Sequence, residues 1–250
     1  MNVKVTAAAA AIVLASALPA LAGFRVQEVD PEFPEDVTTT WFQGGKARVD
    51  GALEGLSVLV DVKSGEGWLV DTAFKRYAGG KITVLAEELR KAEGTQPESA
   101  VSEEASQRGA AAGRAKPLVV QVKDMGAGER LQGYETRRHQ VLVDGELLEE
   151  LWLAPKLEVA REIDLAAFVA ALQKMLGGGA GLNQGYEENE EYRKLRGVGY
   201  PLRQVLYFVG EKSTLEVTSV TVETLPAADF AVPKGFTKVG YIELLYGDGD

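Results

Sequence analysis

The chain has 250 residues, of which 46% are hydrophobic, and it carries 37 acidic against 27 basic residues and no cysteine. This apolar fraction is normal for a globular protein, so a hydrophobic core must stabilise the fold without disulfides. The net charge of −10 argues against binding to nucleic acid and against electrostatic docking to anionic lipid.

The first 22 residues have the features of a secretory signal peptide. Lys4 supplies the positive charge, Val5–Leu18 is a short apolar run, and Ala20-Leu21-Ala22 is a small-x-small cleavage site. The run is too short for a stable transmembrane helix, and no later stretch would span a bilayer. We therefore predict a periplasmic protein that is cleaved after Ala22 and is not an integral membrane protein. The alternative is an N-terminal anchor helix.

Alternating hydrophobic residues predict two β-hairpins in the first part of the mature chain. Thr38–Phe42 and Lys46–Asp50 flank the turn at Gly44-Gly45. Leu56–Val62 alternates cleanly, and a polar, glycine-containing loop separates it from Trp68–Asp71. Such spacing is typical of two strands joined by a tight connection.

A helix and a loop are predicted next. Leu85, Leu89 and Ala92 recur at helical spacing, which predicts a helix over Ile82–Ala92. The stretch 93–116 has almost no large apolar residue and cannot offset its ordering entropy by burial, so we predict a disordered loop. Because strands of the same style resume after it, we expect residues 23–250 to form a single half-barrel domain.

The second half of the chain contains another predicted hairpin and the clearest helix pattern. Tyr134–Val143 and Leu147–Leu153 flank Asp144-Gly145, a dipeptide that favours hairpin turns. Ile163–Leu176 has apolar residues at helical spacing and is followed by glycines that end the helix. Tyr186–Arg196 is predicted as a third, more polar helix.

Two last strands are predicted at Leu202–Val209 and Thr214–Thr224. In the second of them the apolar residues change from one face to the other between Val217 and Val220. A change of one residue in the alternation predicts a β-bulge near Thr218-Ser219.

Several strands are apolar on both faces, including Leu118–Val120 and Val205–Val209. A sheet with one face in water does not need this pattern, so helices must cover one side. The alanine-rich Ile163–Leu176 helix is the natural cover. We therefore predict an α+β fold in which a curved antiparallel β-sheet, an incomplete barrel, has two or three helices covering its concave face.

Five short motifs follow one another along nearly the whole mature chain. They are a polar hairpin with Lys-x-Arg, a Gly-Tyr strand start, a Trp-x-Ala strand end, a Gly-x-Pro strand start and a closing Phe-x-Val-Pro-x-Gly-aromatic segment. In chain order they lie at Trp41–Asp50, Gly133–His139, Leu151–Ala154, Gly199–Arg203 and Asp229–Phe236. Together they resemble the exported family catalogued as domain of unknown function 4412. That family usually has a cysteine in the Gly-Tyr strand, where this chain has Thr136 or nearby polar residues.

The resemblance implies a fold akin to the periplasmic lipoprotein-carrier superfamily, an incomplete antiparallel barrel with helices in its mouth. In that superfamily the apolar hollow holds acyl chains. The 4412 family has no established activity, so the resemblance assigns no catalytic residue.

The residues that could carry catalysis or bind a metal form no recognisable pattern. His139 is the only histidine, and a general base needs a nucleophile and an orienting partner beside it. Asp61 and Asp71 could lie across their hairpin and do acid–base work in an envelope hydrolase, although acidic chains form such pairs by chance. We therefore predict no enzyme activity, no metal site and no cofactor.

Aromatic side chains are the remaining signal for function. Most of them are expected to pack in the core, and some could line an apolar hollow between the sheet and the helices. The candidate lining residues are Trp41, Val60, Trp68, Trp152, Phe168, Leu172 and Tyr207. We predict a monomeric, non-catalytic carrier for a lipophilic ligand or a lipidated partner, with no nucleic-acid partner. The alternative is an envelope protein–protein interaction or structural module with no small ligand.

Overall fold

The computed structural model describes residues 23–95, 118–177, 186–208 and 211–247. The predicted signal peptide lies outside the described residues, as does the predicted disordered loop from residue 96 onwards. Residues 93–95 of that loop are helical instead, since the helix that begins at Ile82 continues to Thr95. Glu93 is a good helix former, but Gly94 and Thr95 are not, so helix propensity accounts only for the first added residue.

Within the described residues, twelve strands form one open sheet. In chain order the strands are β1 (Gly23–Asp30), β2 (Phe33–Gln43), β3 (Lys46–Leu53), β4 (Leu56–Asp61), β5 (Glu66–Asp71), β6 (Arg76–Lys81), β7 (Val120–Leu131), β8 (Tyr134–Val143), β9 (Glu146–Ala154), β10 (Tyr200–Phe208), β11 (Glu211–Glu223) and β12 (Thr237–Lys238). Their order across the sheet is β12-β6-β5-β4-β3-β2-β1-β11-β10-β9-β8-β7. Neighbouring strands are antiparallel, except that β12 runs parallel to β6.

Four α-helices and three short 3₁₀ helices accompany the sheet in the described residues. The α-helices are α1 (Ile82–Thr95), α2 (Leu165–Leu176), α3 (Glu190–Arg196) and α4 (Tyr241–Tyr246), and the 3₁₀ helices are Glu158–Arg161, Tyr186–Glu188 and Ala227–Phe230. Within the described ranges, none of these helices combines the length and apolar character needed to cross a membrane. The helices predicted at Ile82, Ile163 and Tyr186 are confirmed in position.

Helix α2 begins and ends where the sequence indicates. The Asp164 side chain accepts a hydrogen bond from the backbone N–H of Ala167 at 3.0 Å, which satisfies one free donor of the first turn. Gly177 follows the last turn with a φ of 68°, a left-handed conformation that glycine adopts without strain. The boundaries of α2 therefore follow from local chemistry.

The predicted hairpins and the predicted bulge are confirmed. Strands β4 and β5 pair from Leu56–Asp71 to Asp61–Glu66, and β8 pairs with β9 around the Asp144-Gly145 turn. In the pair between β1 and β11, Gln27 faces Ser219 and Glu28 faces Val217. Thr218 is thus the extra residue of a β-bulge, as the change in hydrophobic phase indicates.

The helices pack on the sheet through two hydrophobic clusters, which confirms the α+β class. In the larger cluster, α1, α2 and α4 meet strands β1 to β6, and the Phe168 ring lies edge-on to Phe42 at 5.2 Å between centroids. In the smaller cluster, Tyr192 and Leu195 of α3 pack with Leu151 of β9. Helices α2 and α3 contact each other, so the two clusters adjoin.

Candidate functional site

The seven residues predicted to line a cavity divide between two faces of the sheet. Val60 and Phe168 are buried between α2 and the sheet, and Leu172 packs against the same cluster. The aromatic members of the set alternate with residues that face the helices, so they point to the opposite face. These are Trp41, Trp68, Trp152 and Tyr207. The structure therefore does not bring the seven side chains to one surface.

The aromatic side chains on the opposite face lie among charged groups. Trp152 has the guanidinium of Arg138 5.1 Å from its ring centre and that of Arg203 at 5.4 Å. The Tyr207 hydroxyl donates a hydrogen bond to Oε2 of Glu150 at 2.9 Å. Burial opposes ionisation of Glu150, but hydrogen bonds from the surrounding polar side chains lower its pKa overall. This face is thus an ion-pair and cation–π surface.

A cleft of about 650 Å³ lies on the other side, among the helices. It is bounded by the 3₁₀ helix Glu158–Arg161, the start of α2 and helix α3. One wall is apolar and the other carries charged side chains. The lining residues are Ala160, Ile163, Asp164, Leu165, Ala166, Glu190, Arg193, Lys194, Arg196 and Gly197. A volume of this size is typical of small-molecule sites.

The charged wall of the cleft is held by ion pairs. Nη2 of Arg193 lies 4.0 Å from Oδ2 of Asp164, which links α3 to the cap of α2. Nζ of Lys194 lies 2.9 Å from Oε1 of Glu190 within α3. These pairs are exposed and contribute little to stability, but they arrange cations beside an apolar wall.

Arg196 forms the buried floor of the cleft. Its Nη2 donates to Oε1 of Glu149 at 2.9 Å, and its Nε donates to the Tyr192 hydroxyl at 2.7 Å. Nε2 of Gln204 donates to the same Glu149 oxygen at 2.7 Å. Burial raises the pKa of Glu149, against the opposing effect of the Arg196 guanidinium. This network fixes α3 to strands β9 and β10.

A second, half-buried carboxyl, that of Glu28, lies near this network. The Tyr200 hydroxyl donates a hydrogen bond to Oε1 of Glu28 at 2.7 Å. Burial raises the pKa of Glu28. The hydrogen bond from Tyr200 and the charge of Arg196 lower the pKa, but they offset only part of this rise. Glu28 therefore favours the protonated form in the folded protein more than in the unfolded chain.

Replacing Glu28 with glutamine is expected to flatten the pH dependence of stability. With a raised pKa the folded state binds more protons than the unfolded chain, so the stability from Glu28 is present below about pH 4.5. It is lost as the pH rises through the raised pKa. Glutamine cannot ionise and still accepts the bond from Tyr200. Urea unfolding at a series of pH values from about 4.5 upwards measures the change in stability. The control is Glu135→Gln, the same substitution at an exposed glutamate. If the free energy of unfolding of wild type and of E28Q changed with pH in the same way, this prediction would be wrong.

The structure separates the carboxylates that the sequence paired. Asp61 and Asp71 lie at opposite ends of the β4–β5 hairpin, and each serves a turn. Oδ1 of Asp61 accepts from the backbone N–H of Lys63 at 3.0 Å, and Oδ1 of Asp71 accepts from that of Phe74 at 2.9 Å. About five residues of strand, or roughly 17 Å, lie between them, so they cannot act on one bond.

His139 is buried, and neither ring nitrogen has a hydrogen-bond partner in the described part of the chain. Burial lowers the pKa of its imidazole. Within the described residues, no group of three or more histidine, aspartate or glutamate side chains is placed to hold a metal ion. His139 is not among the residues that line the cleft.

Comparison with known proteins identifies the family. A family model described as a domain of unknown function, DUF4412, matches residues 89–236, which is more than half of the chain. The match includes the Gly-Tyr, Trp-x-Ala, Gly-x-Pro and closing aromatic motifs, together with every lining residue of the cleft. No curated protein matches the sequence. The chain therefore belongs to the DUF4412 family.

Proposed function

We propose that the protein is a non-catalytic envelope carrier that binds a lipophilic ligand, or the lipid of a lipidated partner, in the cleft between α2 and α3. The observation that carries the proposal is the continuity of the cleft with the core. Ile163 and Leu165 line the cleft and also belong to the cluster between α2 and the sheet. An apolar chain that enters the cleft would therefore meet core side chains, not water.

The charged wall suits an amphiphilic ligand. Arg193 and Lys194 lie opposite the apolar residues, so an anionic or zwitterionic head group would rest on α3 while its chain turns inward. Burial of apolar ligand surface would contribute about 25 cal/mol per Å² to affinity. The head group would supply orientation.

Helix α2 is the proposed lid. Phe168 and Met175 are buried against the sheet, so the space beneath α2 is filled in this conformation. A long acyl chain would bind by displacing α2, with the cleft at its N-terminal end as the starting point. In this proposal the sheet is the half-barrel of a lipoprotein-carrier-like fold, and α1, α2 and α4 cover its concave face.

A protein-interaction module is the second candidate, and strand β7 favours it. β7 spans Val120–Leu131 and pairs with β8 on one side only, so one long edge is open within the described sheet. Met125 on this strand is 49% exposed. A partner strand could add to such an edge through backbone hydrogen bonds.

Filling the cleft tests the first candidate. Replacing Ala160, an exposed cleft residue of a 3₁₀ helix, with tryptophan is expected to weaken binding of a fluorescent long-chain fatty acid about tenfold, or about 1.4 kcal/mol. The matched control is Ala228→Trp, since Ala228 is an exposed alanine in the 3₁₀ helix Ala227–Phe230, away from the cleft.

Two results would contradict the proposal. One is a wild-type protein that neither binds the fatty acid nor retains lipid in native mass spectrometry. The other is equal binding by A160W and A228W, which would place the lipophilic site elsewhere.

A further inference from the structure

The turn between β5 and β6 presents an unusually exposed phenylalanine on a rigid base. Phe74 is 74% exposed, more than any other large hydrophobic side chain in the described residues. The buried Asp71 accepts the Phe74 backbone N–H at 2.9 Å and a bond from Nη2 of Arg76 at 3.2 Å. The backbone N–H of Thr237 donates to the Lys75 carbonyl at 2.9 Å. The turn is therefore held from both sides while its apolar tip stays in solvent.

Backbone geometry also fixes the conformation of the turn. Lys75 has a φ of 53°, a left-handed conformation that is uncommon for a residue other than glycine. The bonds from Asp71 and Thr237 hold the chain in it. An exposed phenylalanine on a strained, well-anchored turn is not explained by folding, because Phe74 joins neither hydrophobic cluster.

Cationic side chains lie near the exposed ring and on the adjacent strand β12. The guanidinium of Arg76 lies 5.2 Å from the centre of the Phe74 ring. Strand β12 runs parallel to β6, with Lys238 opposite Tyr77, and so brings Lys238 beside the start of β6. Lys234 precedes β12 by three residues. In the described ranges no carboxylate lies within 4 Å of the amino groups of Lys75, Lys234 or Lys238, and all three residues are exposed.

We infer that Phe74 and Lys75 of this turn, together with Lys238 of the adjacent β12, dock the protein onto an anionic lipid bilayer. An aromatic ring gains by leaving water for the interface between head groups and acyl chains. Free lysines near an anionic surface each contribute to attraction, and their aliphatic stems tolerate the interface. The turn thus combines an apolar anchor with complementary charge, the two components that reversible membrane docking requires.

The net charge of −10 argues against general attraction to anionic lipid, so docking at this turn depends on the charges close to it. The β1–β2 hairpin, at the same end of the sheet, carries the exposed Glu32, Glu35 and Asp36. Strand β2 lies four strands from β6, or about 19 Å at roughly 4.8 Å per strand. Screening at physiological salt acts over about 8 Å, so the local cations determine the field at the turn. Glu54, in the β3–β4 turn, is nearer, at about 10 Å from β6.

Vesicle sedimentation tests the inference. The purified protein is mixed with vesicles of phosphatidylcholine and phosphatidylglycerol at about 3:1, and with vesicles of phosphatidylcholine alone. The wild type is expected to sediment with the anionic vesicles, and binding should fall when sodium chloride rises from about 50 to about 500 mM. Phe74→Ser and the double variant K75E/K238E are each expected to bind at least about tenfold more weakly.

Matched controls separate docking from general effects of charge and exposure. Val222→Ser changes another exposed apolar residue, 55% exposed, at the opposite end of the sheet. The double variant K63E/K123E makes the same change in net charge at exposed lysines elsewhere. Both should bind like the wild type. A160W should also bind like the wild type, because docking does not depend on the ligand cleft.

Several outcomes would overturn the inference. They are equal binding to both vesicle types, wild-type binding by F74S and K75E/K238E, or photocrosslinking from position 74 to a protein and not to lipid. Urea unfolding verifies that the variants fold. If F74S fails to fold, Phe74→Trp gives an independent readout. Its tryptophan emission should shift to the blue with the anionic vesicles only, and an unchanged spectrum would overturn the inference.

Discussion

Replacing Arg196 with methionine is expected to lower the free energy of unfolding at neutral pH by about 3–5 kcal/mol. The Arg196 and Glu149 side chains are 4% and 0% exposed, and their ion pair is 2.9 Å long. Methionine fills similar space but leaves the Glu149 carboxylate buried without its cation. Urea unfolding monitored by circular dichroism measures the change.

Control variants distinguish a stranded charge from lost packing. Arg161→Met breaks the Arg161–Glu158 pair, whose side chains are 74% and 48% exposed, and should cost less than about 1 kcal/mol. The double variant E149Q/R196M removes the stranded carboxylate and should recover part of the stability. If the double variant is as unstable as R196M, the loss arises from packing of Arg196 against Tyr192 and not from charge.

The ionisation of Glu149 determines how the stability loss of R196M changes with pH. Its pKa is raised by burial and should rise further without Arg196. Between about pH 4.5 and that raised pKa, the folded state binds more protons than the unfolded chain, so stability falls as the pH rises. The deficit of R196M relative to wild type should therefore shrink as the pH falls towards about 4.5. A deficit that is constant with pH would contradict the assignment.

Replacing Phe168 with alanine is expected to lower the free energy of unfolding by about 3–5 kcal/mol. Phe168 is 7% exposed and lies edge-on to Phe42 at 5.2 Å, so its removal leaves a cavity between α2 and the sheet. The surrounding side chains, among them the fully buried Met175, are fixed by their own packing and can relax only partly. Thermal and urea unfolding measure the loss.

The matched control for F168A is Phe74→Ala, the same chemical change at a 74% exposed position. It should change stability by less than about 0.5 kcal/mol. Equal losses for the two variants would show that the helix–sheet contact through Phe168 does not anchor α2. Such a result would also remove the physical basis for describing α2 as a lid that closes on the sheet.

The sequence predicts the elements whose stability is local. The hairpin at Asp144-Gly145 has its turn residues in the left-handed conformation that the dipeptide favours, with φ values of 52° and 91°. Helix α2 has its own cap and its own terminating glycine. Strand β6 is not predictable in the same way, because its Gly79-Gly80 pair has no strand preference and pairing with β5 decides its conformation.

Alternation alone cannot tell which face of a strand meets the helices. A side chain at Gly67 would come within 2.3 Å of the Met175 sulfur, so glycine there permits α2 to approach β5. The face of Gly67 and Leu69 is therefore the one under the helix, and Trp68 points away from it. The face that meets the helix is decided by how well the side-chain volumes of strand and helix fit together. That fit involves residues far apart in sequence.

Sequence patterns also do not predict the cleft, although the residue spacing in α3 indicates one part of it. Tyr192, Leu195 and Arg196 share one face of α3, since they are three and four residues apart. Such a face predicts burial of Arg196 and hence a carboxylate partner, which the structure supplies as Glu149. The identity of that partner depends on the pairing of β9 with β10, and nothing local encodes it.

Strand β1 occupies the middle of the sheet, between β2 and β11, although it is the first strand in the described part of the chain. Its register joins Gly23 to Glu223, so the two halves of the sheet meet through contacts of very long sequence separation. Such contacts slow folding, because a large loop must close before any pairing energy is gained. Until β10 and β11 are available, β1 is an open edge, and that interval is when the chain is most exposed to aggregation.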